Sequence, residues 1–136
     1  MTTEYQKPLP EITEETKEYW EGCKRHELRM QRCKECGTYV WYPQPMCHNC
    51  NSMNLEWTRV SGKGTVYSYT IIHHPAGRAW ESEVPYTVVL VELPEGVRMI
   101  SNLVDCKPED VRIGTPVEVV FEAVTPEITL PKFKPV

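Results

Sequence analysis

Four cysteines in one short stretch constrain this chain more than any other feature. They form two Cys-x-x-Cys pairs, Cys33 with Cys36 and Cys47 with Cys50, separated by ten residues. Each pair can turn on a tight knuckle, so four thiolates can meet at one point, and Zn²⁺ prefers four such ligands at tetrahedral corners, about 2.3 Å away. Gly37, directly after the first pair, supplies the permissive backbone that such a turn needs. The spacing therefore predicts a closed structural zinc site whose role is in folding rather than catalysis.

Three other interpretations of these cysteines are two disulfides, a redox-active dithiol and a rubredoxin-type iron centre. Disulfides need an oxidising compartment, and the chain begins without the basic and apolar regions of a secretory signal, so we expect a cytoplasmic protein. A redox Cys-x-x-Cys motif leaves the second pair unexplained. Iron binds the same four thiolates. The sequence therefore favours zinc and leaves iron open.

An amphipathic helix is predicted near the N-terminus, over residues 14–25, with Thr13 as its N-cap. Four residues recur at the spacing of one helix face: Thr16, Tyr19, Trp20 and Cys23. This stripe packs either into the chain's own core, which is the commoner outcome, or against a partner protein. A second aromatic cluster, residues 39–42, is expected to cover the metal site, and the alternative is again a contact surface.

The second half of the chain has the pattern of β-structure throughout. Five short runs rich in β-branched and aromatic residues are predicted as strands, over 65–73, 86–93, 97–103, 117–124 and 128–133. They fit a small Greek-key barrel of the OB type, with a five-stranded sandwich as the alternative. We predict a mainly β protein with an N-terminal arm and helix (1–26), a zinc ribbon (27–60) and the barrel (61–136).

The order of these motifs resembles the family long catalogued as domain of unknown function 35. The segments that carry the resemblance are Gln31-Arg32-Cys33, Cys47-His48-Asn49-Cys50, Glu56-Trp57, Ser61-Gly62-Lys63-Gly64-Thr65 and Ile113-Gly114-Thr115-Pro116. The resemblance covers roughly residues 8–135 and implies a rubredoxin-like zinc ribbon followed by an OB-fold. Two departures are His48, where the family commonly has proline, and Gln44-Pro45, which replaces the usual Pro-Arg.

The resemblance also implies a partner protein. Family members bind thiolase-fold enzymes, or enoyl-CoA hydratases and aldolases, and help to form the acyl-CoA site. The chain is consistent with this role, because Cys23 and Cys106 are isolated and His73 and His74 have no obvious nucleophile beside them. We therefore expect a non-catalytic, zinc-binding subunit of an acyl-CoA thiolase (acyl-CoA C-acyltransferase) complex, bound to a thiolase-fold catalytic subunit in a hetero-oligomer that degrades acyl-CoA.

A CoA thioester as a shared ligand requires cations for its phosphates and an aromatic face for its adenine. The candidate CoA-binding residues in the β half are Lys63, Arg78, Trp80 and Arg98, two of them in the long loop 74–85, where binding is expected on a small barrel.

Three alternative functions remain. The partner could be an acyl-CoA hydratase or aldolase. The chain could bind single-stranded nucleic acid, as OB-folds and zinc ribbons do, but its formal net charge of −4 counts against that. With iron in the four-cysteine site it would be an electron-transfer protein. No apolar run is long enough to span a membrane.

Overall fold

Two β-structures of unequal size follow one helix in the computed structural model, which describes residues 7–136. The first six residues of the predicted arm lie outside this range. The elements are α1 (Lys17–Lys24), β1 (Arg29–Cys33), β2 (Tyr39–Val40), β3 (Leu55–Arg59), β4 (Lys63–Ile72), β5 (Tyr86–Glu92), β6 (Arg98–Leu103), β7 (Pro116–Ala123) and β8 (Thr129–Pro135), with short 3₁₀ turns at Arg78–Trp80 and Pro108–Asp110.

The smaller structure is a three-stranded antiparallel sheet in the order β2-β1-β3. Gln31 lies at its centre, opposite Val40 on one side and Trp57 on the other. Its buried side-chain amide donates to the Gln44 carbonyl (2.9 Å) and accepts from the Gln44 N–H (2.8 Å). Because the N–H₂ and the C=O of the Gln31 amide are both paired with the backbone of Gln44, the segment that connects the two cysteine knuckles is held against the sheet.

The larger structure is a closed five-stranded barrel in the order β4-β5-β6-β8-β7. All neighbouring pairs are antiparallel except β6 and β8, which meet in parallel at Leu103 and Phe133. Its interior is filled by buried side chains, among them Val66, Val89, Val91, Met99, Val117 and Phe133. The predicted fold class, an N-terminal helix and a zinc ribbon before a five-stranded OB-fold barrel, is confirmed.

The helix is shorter than predicted. α1 begins at Lys17, because the preceding residues form a capping turn of their own. The Thr13 N–H donates to Thr16 Oγ1 (2.9 Å) and the Thr16 N–H donates to Thr13 Oγ1 (3.2 Å), which is the reciprocal pair of a capping box. The Thr13 side chain therefore caps the turn that leads into α1, although the regular helix begins only after Thr16. No helix among residues 7–136 is long and apolar enough to cross a membrane.

The apolar stripe of α1 packs into the chain's own core. Tyr19 is 2% exposed and Trp20 6% exposed, and both belong to a cluster of buried residues that continues through β1 into the barrel. Trp41 Nε1 donates to the Tyr19 hydroxyl (3.2 Å) and Trp20 Nε1 donates to the Tyr42 hydroxyl (3.2 Å). The hypothesis that the apolar stripe of α1 forms the surface for a partner is therefore wrong. Trp41 and Tyr42 of the ribbon pack on α1, and the helix buries ring surface that the ribbon sheet alone would leave exposed.

Candidate metal centre

The four cysteines of the two Cys-x-x-Cys pairs converge on one point. Their Sγ atoms all lie within 4.8 Å of one another, with 3.5 Å between Cys33 and Cys50 and 3.7 Å between Cys36 and Cys47. These separations far exceed a disulfide bond of about 2.0 Å, and all four cysteines are free. Ligands at about 2.3 Å from a tetrahedral Zn²⁺ lie about 3.8 Å apart. The sulfur positions therefore fit a single tetrahedral metal ion.

Each pair is followed by a residue in the left-handed region of backbone conformation. Gly37 has φ of 78° and Asn51 has φ of 64°. The Gly37 N–H donates to the Cys33 carbonyl, and the Asn51 N–H donates to the Cys47 carbonyl, each at 2.9 Å. Glycine and asparagine are the residues that adopt this conformation most readily. Sequence reasoning identified Gly37 but missed Asn51, although its place directly after Cys50 was the available signal.

Hydrogen bonds stabilise thiolate at this site. The Thr38 and Asn49 side chains lower the pKa of Cys36 to about 5, and the Cys36 backbone N–H holds the pKa of Cys33 below its usual value. The Ser52 N–H lowers the pKa of Cys50, but the neighbouring sulfurs, with Cys33 foremost, and partial desolvation outweigh it and raise this pKa to about 12. A divalent cation offsets this crowding, since a coordinated thiol is deprotonated.

A metal ion held by these four sulfurs has no position left for a substrate. Cys33 and Cys47 are buried, whereas Cys36 and Cys50 lie on the surface. Structural zinc sites have four protein ligands, while catalytic sites keep one position open. The donor set and its closed shell are those of a structural site. His48 is exposed in the second knuckle, and the four cysteines leave it no place as a ligand.

A cleft separates the ribbon from the turn between β5 and β6. It has a volume of about 580 Å³ and is lined from the ribbon by Thr38, Tyr39, Trp41 and His48, and from the barrel by residues 95–98. We call it the ribbon–barrel cleft. Sequence reasoning missed it, because no local pattern shows which turn of a barrel faces a distant knuckle.

The four candidate CoA-binding residues do not come together. Lys63 begins β4 and Arg98 begins β6. Both lie at the end of the barrel where Thr65 of β4, Glu92 of β5 and Arg98 of β6 are side by side in the sheet. Arg78 and Trp80 lie in the loop beyond the other end of β4, where Ile72 is opposite Tyr86. From Thr65 to Ile72 a strand runs about 23 Å. The four residues therefore form two groups at opposite ends of the barrel, and of these only Arg98 lines the ribbon–barrel cleft.

The barrel presents apolar side chains to solvent across its second strand. In β5, Thr87, Val89 and Val91 are buried inside the barrel, and the alternate residues Val88 and Leu90 point outward and are half-buried. Leu90 is opposite Ile100, which is 56% exposed, and Tyr67 nearby is 43% exposed. We define the β5 outer face as Tyr67, Val88, Leu90 and Ile100. β5 is thus apolar on both faces although only one face is covered by this chain.

The described residues bring together no nucleophile and base. None of the side-chain hydrogen bonds found among residues 7–136 joins a histidine to a serine, threonine or cysteine. Cys23 is fully buried in the core beside α1, where burial raises its pKa to about 12. Burial likewise raises the pKa of Cys106, whose sulfur lies 3.6 Å from the Lys107 carbonyl oxygen. Neither cysteine has the lowered pKa of an activated nucleophile.

Comparison with protein families matches both halves of the chain. Residues 20–56 match the family described as "ChsH2, rubredoxin-like zinc ribbon domain". Residues 57–122 match the family described as "ChsH2, C-terminal OB-fold domain". The two matches meet within β3, which is the last strand of the ribbon sheet.

Two relatives are named as enzyme subunits. The chain is 40% identical over 129 residues to the "Probable enoyl-CoA hydratase alpha subunit" of Thermomonospora curvata, covering 95% of this chain and 40% of that protein. It is 36% identical over 77 residues to the "Benzoylsuccinyl-CoA thiolase subunit BbsA" of Geobacter metallireducens, covering 56% of this chain and 49% of that protein. The chain thus spans less than half the length of both relatives.

A solved structure shares the whole architecture. The chain of the "Ltp2-ChsH2(DUF35) aldolase" superposes with a TM-score of 0.82 at 40% identity, covering 93% of this chain and 98% of that one. The identity extends over both the ribbon and the barrel, so the likeness is one of sequence as well as fold. With these matches the resemblance found in the sequence is confirmed, and the chain belongs to the DUF35 family of proteins that join a rubredoxin-like zinc ribbon to an OB-fold.

Proposed function

We propose that this chain is a non-catalytic, zinc-binding subunit of an enzyme complex that acts on acyl-CoA thioesters. The observation that carries the proposal is the β5 outer face. Strands that are covered on both sides are apolar on both sides, whereas a strand with one wet face alternates apolar and polar residues. β5 has the first pattern, and its outward-facing residues Val88 and Leu90 are only partly buried in the described part of the chain. Exposed apolar patches of this kind mark contact surfaces.

The class of partner is supported by the names of the relatives. One is an enoyl-CoA hydratase subunit, one a benzoylsuccinyl-CoA thiolase subunit and one part of an aldolase, and the first two names are those of acyl-CoA enzymes. We place a thiolase-fold catalytic subunit first, in an acyl-CoA C-acyltransferase complex, and a hydratase or aldolase second. The nucleophile, acid and base would then lie on the larger subunit, which fits the lack of a nucleophile with a neighbouring base among the described residues.

In this proposal the metal is Zn²⁺ and its role is structural. Cys33, Cys36, Cys47 and Cys50 hold it, and it supplies cross-linking of the two knuckles rather than chemistry on the substrate. We place the protein in the cytoplasm, where thiols remain reduced. Elemental analysis tests the metal. One zinc per chain in colourless protein is expected, and red protein with bound iron would contradict the assignment.

The partner is tested by purification from the native host. The tagged chain is expressed there, retained proteins are identified by mass spectrometry, and acyl-CoA turnover is assayed in the eluate and with the chain alone. Ile100→Glu places a charge at the centre of the β5 outer face, and loss of a central apolar contact costs about 2 kcal/mol or more, roughly thirtyfold in affinity. The matched control is Ile113→Glu, because Ile113 is also exposed (69%) but lies outside this face.

The expected result is that the wild-type chain and the Ile113→Glu variant retain an acyl-CoA enzyme of the thiolase, hydratase or aldolase type, while the Ile100→Glu variant does not. The chain alone is expected to turn over no acyl-CoA thioester. Equal retention by both variants would exclude the β5 outer face as the contact. Turnover by the chain alone would refute the non-catalytic role.

A further inference from the structure

We propose that an extended segment of the catalytic subunit adds to the open edge of β6, an inference that rests on the proposed function and names the mode of contact. β6 pairs with β5 along its whole length, from Arg98 to Leu103. On its other side it meets β8, and in the described chain these two strands pair only at Leu103 and Phe133. One edge of β6 is therefore open over most of its length.

The backbone groups of Ile100 face this open edge. Along an antiparallel pair, residues that bond across the pair alternate with residues whose N–H and C=O point away from it. The Leu93 N–H donates to the Val97 carbonyl (2.9 Å), so the odd-numbered residues of β6 bond to β5. The Val104 N–H donates to the Phe133 carbonyl (2.8 Å), so the even-numbered residues face β8. Ile100 has no backbone partner in the described part of the chain, because β8 does not pair with it.

Pro131 explains why β8 leaves Ile100 unpaired. It precedes Phe133 by two residues and occupies the position that would donate to the Ile100 carbonyl if the parallel pairing continued, but proline has no N–H. Its own carbonyl accepts from the Ser101 hydroxyl instead (2.8 Å). The pairing with β7 loses no hydrogen bond, because an N–H at this position would point towards β6, as the Phe133 carbonyl does. The sequence thus opens the barrel at one place while β8 stays in the sheet.

An apolar groove lies beside this edge. It has a volume of about 330 Å³ and is bordered by α1, the ribbon and the barrel. We call it the α1 groove, and its lining includes Trp20, Tyr42, Ile100, Leu130 and Pro131. The cation in its lining, Lys132, pairs with Glu122 at 3.0 Å, so the described lining offers no free charge. A side chain that enters the α1 groove must therefore be apolar or aromatic, because a charge would lose its hydration there without gaining a partner.

These features define the occupant. An unpaired strand edge is completed by another extended chain, whose main-chain hydrogen bonds give affinity while pockets for its side chains give specificity. Ile100 belongs both to the α1 groove and to the β5 outer face, so the two surfaces are continuous. The subunit that covers the β5 outer face therefore supplies the segment, which pairs with the backbone of Ile100 and places an apolar side chain in the α1 groove.

The experiment is amide hydrogen exchange of the tagged chain, resolved to single residues by mass spectrometry, in the complex purified from the native host and in the chain alone. The amides of Ile100 and Asn102 should exchange about tenfold or more slowly in the complex, because the added strand gives them acceptors. The amides of Met99 and Ser101 should change little, since they already bond to β5.

Pro131→Val tests the cause of the open edge. Valine restores an N–H that can donate to the Ile100 carbonyl, so the pairing of β6 with β8 should extend and close the edge. Retention of the acyl-CoA enzyme should fall about tenfold, as expected for the loss of one or two backbone hydrogen bonds. The matched control is Pro135→Val, because Pro135 lies on the same strand but outside the described lining of the α1 groove. It should retain the enzyme fully, and both variants should keep one zinc ion per chain.

Three results would overturn the inference. They are unchanged exchange at Ile100 and Asn102 in a complex that retains the acyl-CoA enzyme, full retention of that enzyme by Pro131→Val, and equal protection in the chain alone, which would indicate a second copy or another segment of this chain on the edge. The inference fails by itself if the enzyme is retained without protection of the edge. The proposed function fails by itself if the edge is protected in a complex with a protein of another class.

Discussion

The ribbon and the barrel are stabilised in different ways although they belong to one chain. The ribbon sheet has strands of five, two and five residues, and its two knuckles meet at the four cysteines. The barrel closes around side chains such as Val89, Val91 and Phe133, which are fully buried. A sheet as small as the ribbon buries too little apolar surface to fold alone, whereas a closed barrel carries its own core. We therefore expect metal binding to be a folding requirement for the ribbon half of the molecule.

α1 is the element that connects the two halves. It packs against β1 of the ribbon and against β7 and β8 of the barrel. Its stripe joins Leu28 and Met30 to the barrel core in one continuous cluster. The contrast between the halves can thus be tested by changes in the metal site, in the barrel and at the helix between them.

The largest effect is expected from Cys33→Ser. Structural zinc contributes on the order of 10 kcal/mol to folding in small modules, so loss of one ligand should unfold the ribbon while the barrel persists. Metal analysis reports on the ribbon, and the NMR signals of the barrel residues report on the barrel. Cys106→Ser is the control, because Cys106 lies outside the site, and it should keep one metal ion per chain. Folded Cys33→Ser protein with full zinc content would contradict a metal-dependent ribbon.

Acid should reproduce that result without a mutation. The pKa of Cys36 is lowered from 9.0 to about 5. A group whose pKa is lower in the folded state contributes its full stabilisation at pH values above its unfolded-state pKa. This contribution is lost as the pH falls through the folded-state pKa. Because thiols must be deprotonated to bind a metal, zinc should be retained at pH 7 and released in acid, with the ribbon unfolding first. A chelator dye followed between pH 8 and pH 4 measures this release. Simultaneous loss of the barrel signals would show that the halves are not independent.

Phe133→Ala tests the opposite half. Phe133 is fully buried where β6 and β8 meet, and Phe-to-Ala changes in cores cost about 3–5 kcal/mol. Denaturant unfolding should show this loss in the barrel transition, while the zinc content of the folded protein stays at one per chain. Release of zinc from folded Phe133→Ala protein would mean that the barrel core also supports the metal site.

Trp20→Ala measures the connection between the halves. Because Trp20 is buried against the core, the variant should lose about 3 kcal/mol of unfolding free energy, and the loss should be visible in the isolated chain. Tyr42→Phe removes only the hydroxyl that accepts from Trp20 Nε1, and should cost about 1 kcal/mol. A Trp20→Ala chain of unchanged stability would restore the hypothesis that this stripe binds a partner.

Local patterns were sufficient for the elements and the metal ligands. The four cysteines are close in sequence, so their spacing alone predicts a shared site, and the five barrel strands follow from β-branched runs between turn residues. The helical stripe was also found, but its destination was left open. Periodicity shows which face of a helix is apolar and says nothing about which element covers it.

The arrangement of the other candidate residues could not be predicted, because it depends on contacts between residues that are far apart in the sequence. Lys63, Arg78, Trp80 and Arg98 have the right chemistry for CoA, yet the register of β4 and β5 separates them into two ends of the barrel. The ribbon–barrel cleft combines Trp41 with Arg98, which are far apart in the chain and meet only through the packing of two sheets. The β5 outer face had a local signal in the unbroken apolar run of residues 88–91, and this was read only as evidence of a strand.

The most direct test of the account is purification of the tagged chain from its native host beside the Ile100→Glu and Ile113→Glu variants. The account predicts that the wild-type chain and Ile113→Glu retain an acyl-CoA enzyme with thiolase, hydratase or aldolase activity, and that Ile100→Glu loses it while remaining folded with one zinc ion. Retention of no such enzyme by the wild-type chain, or equal retention by all three proteins, would contradict it.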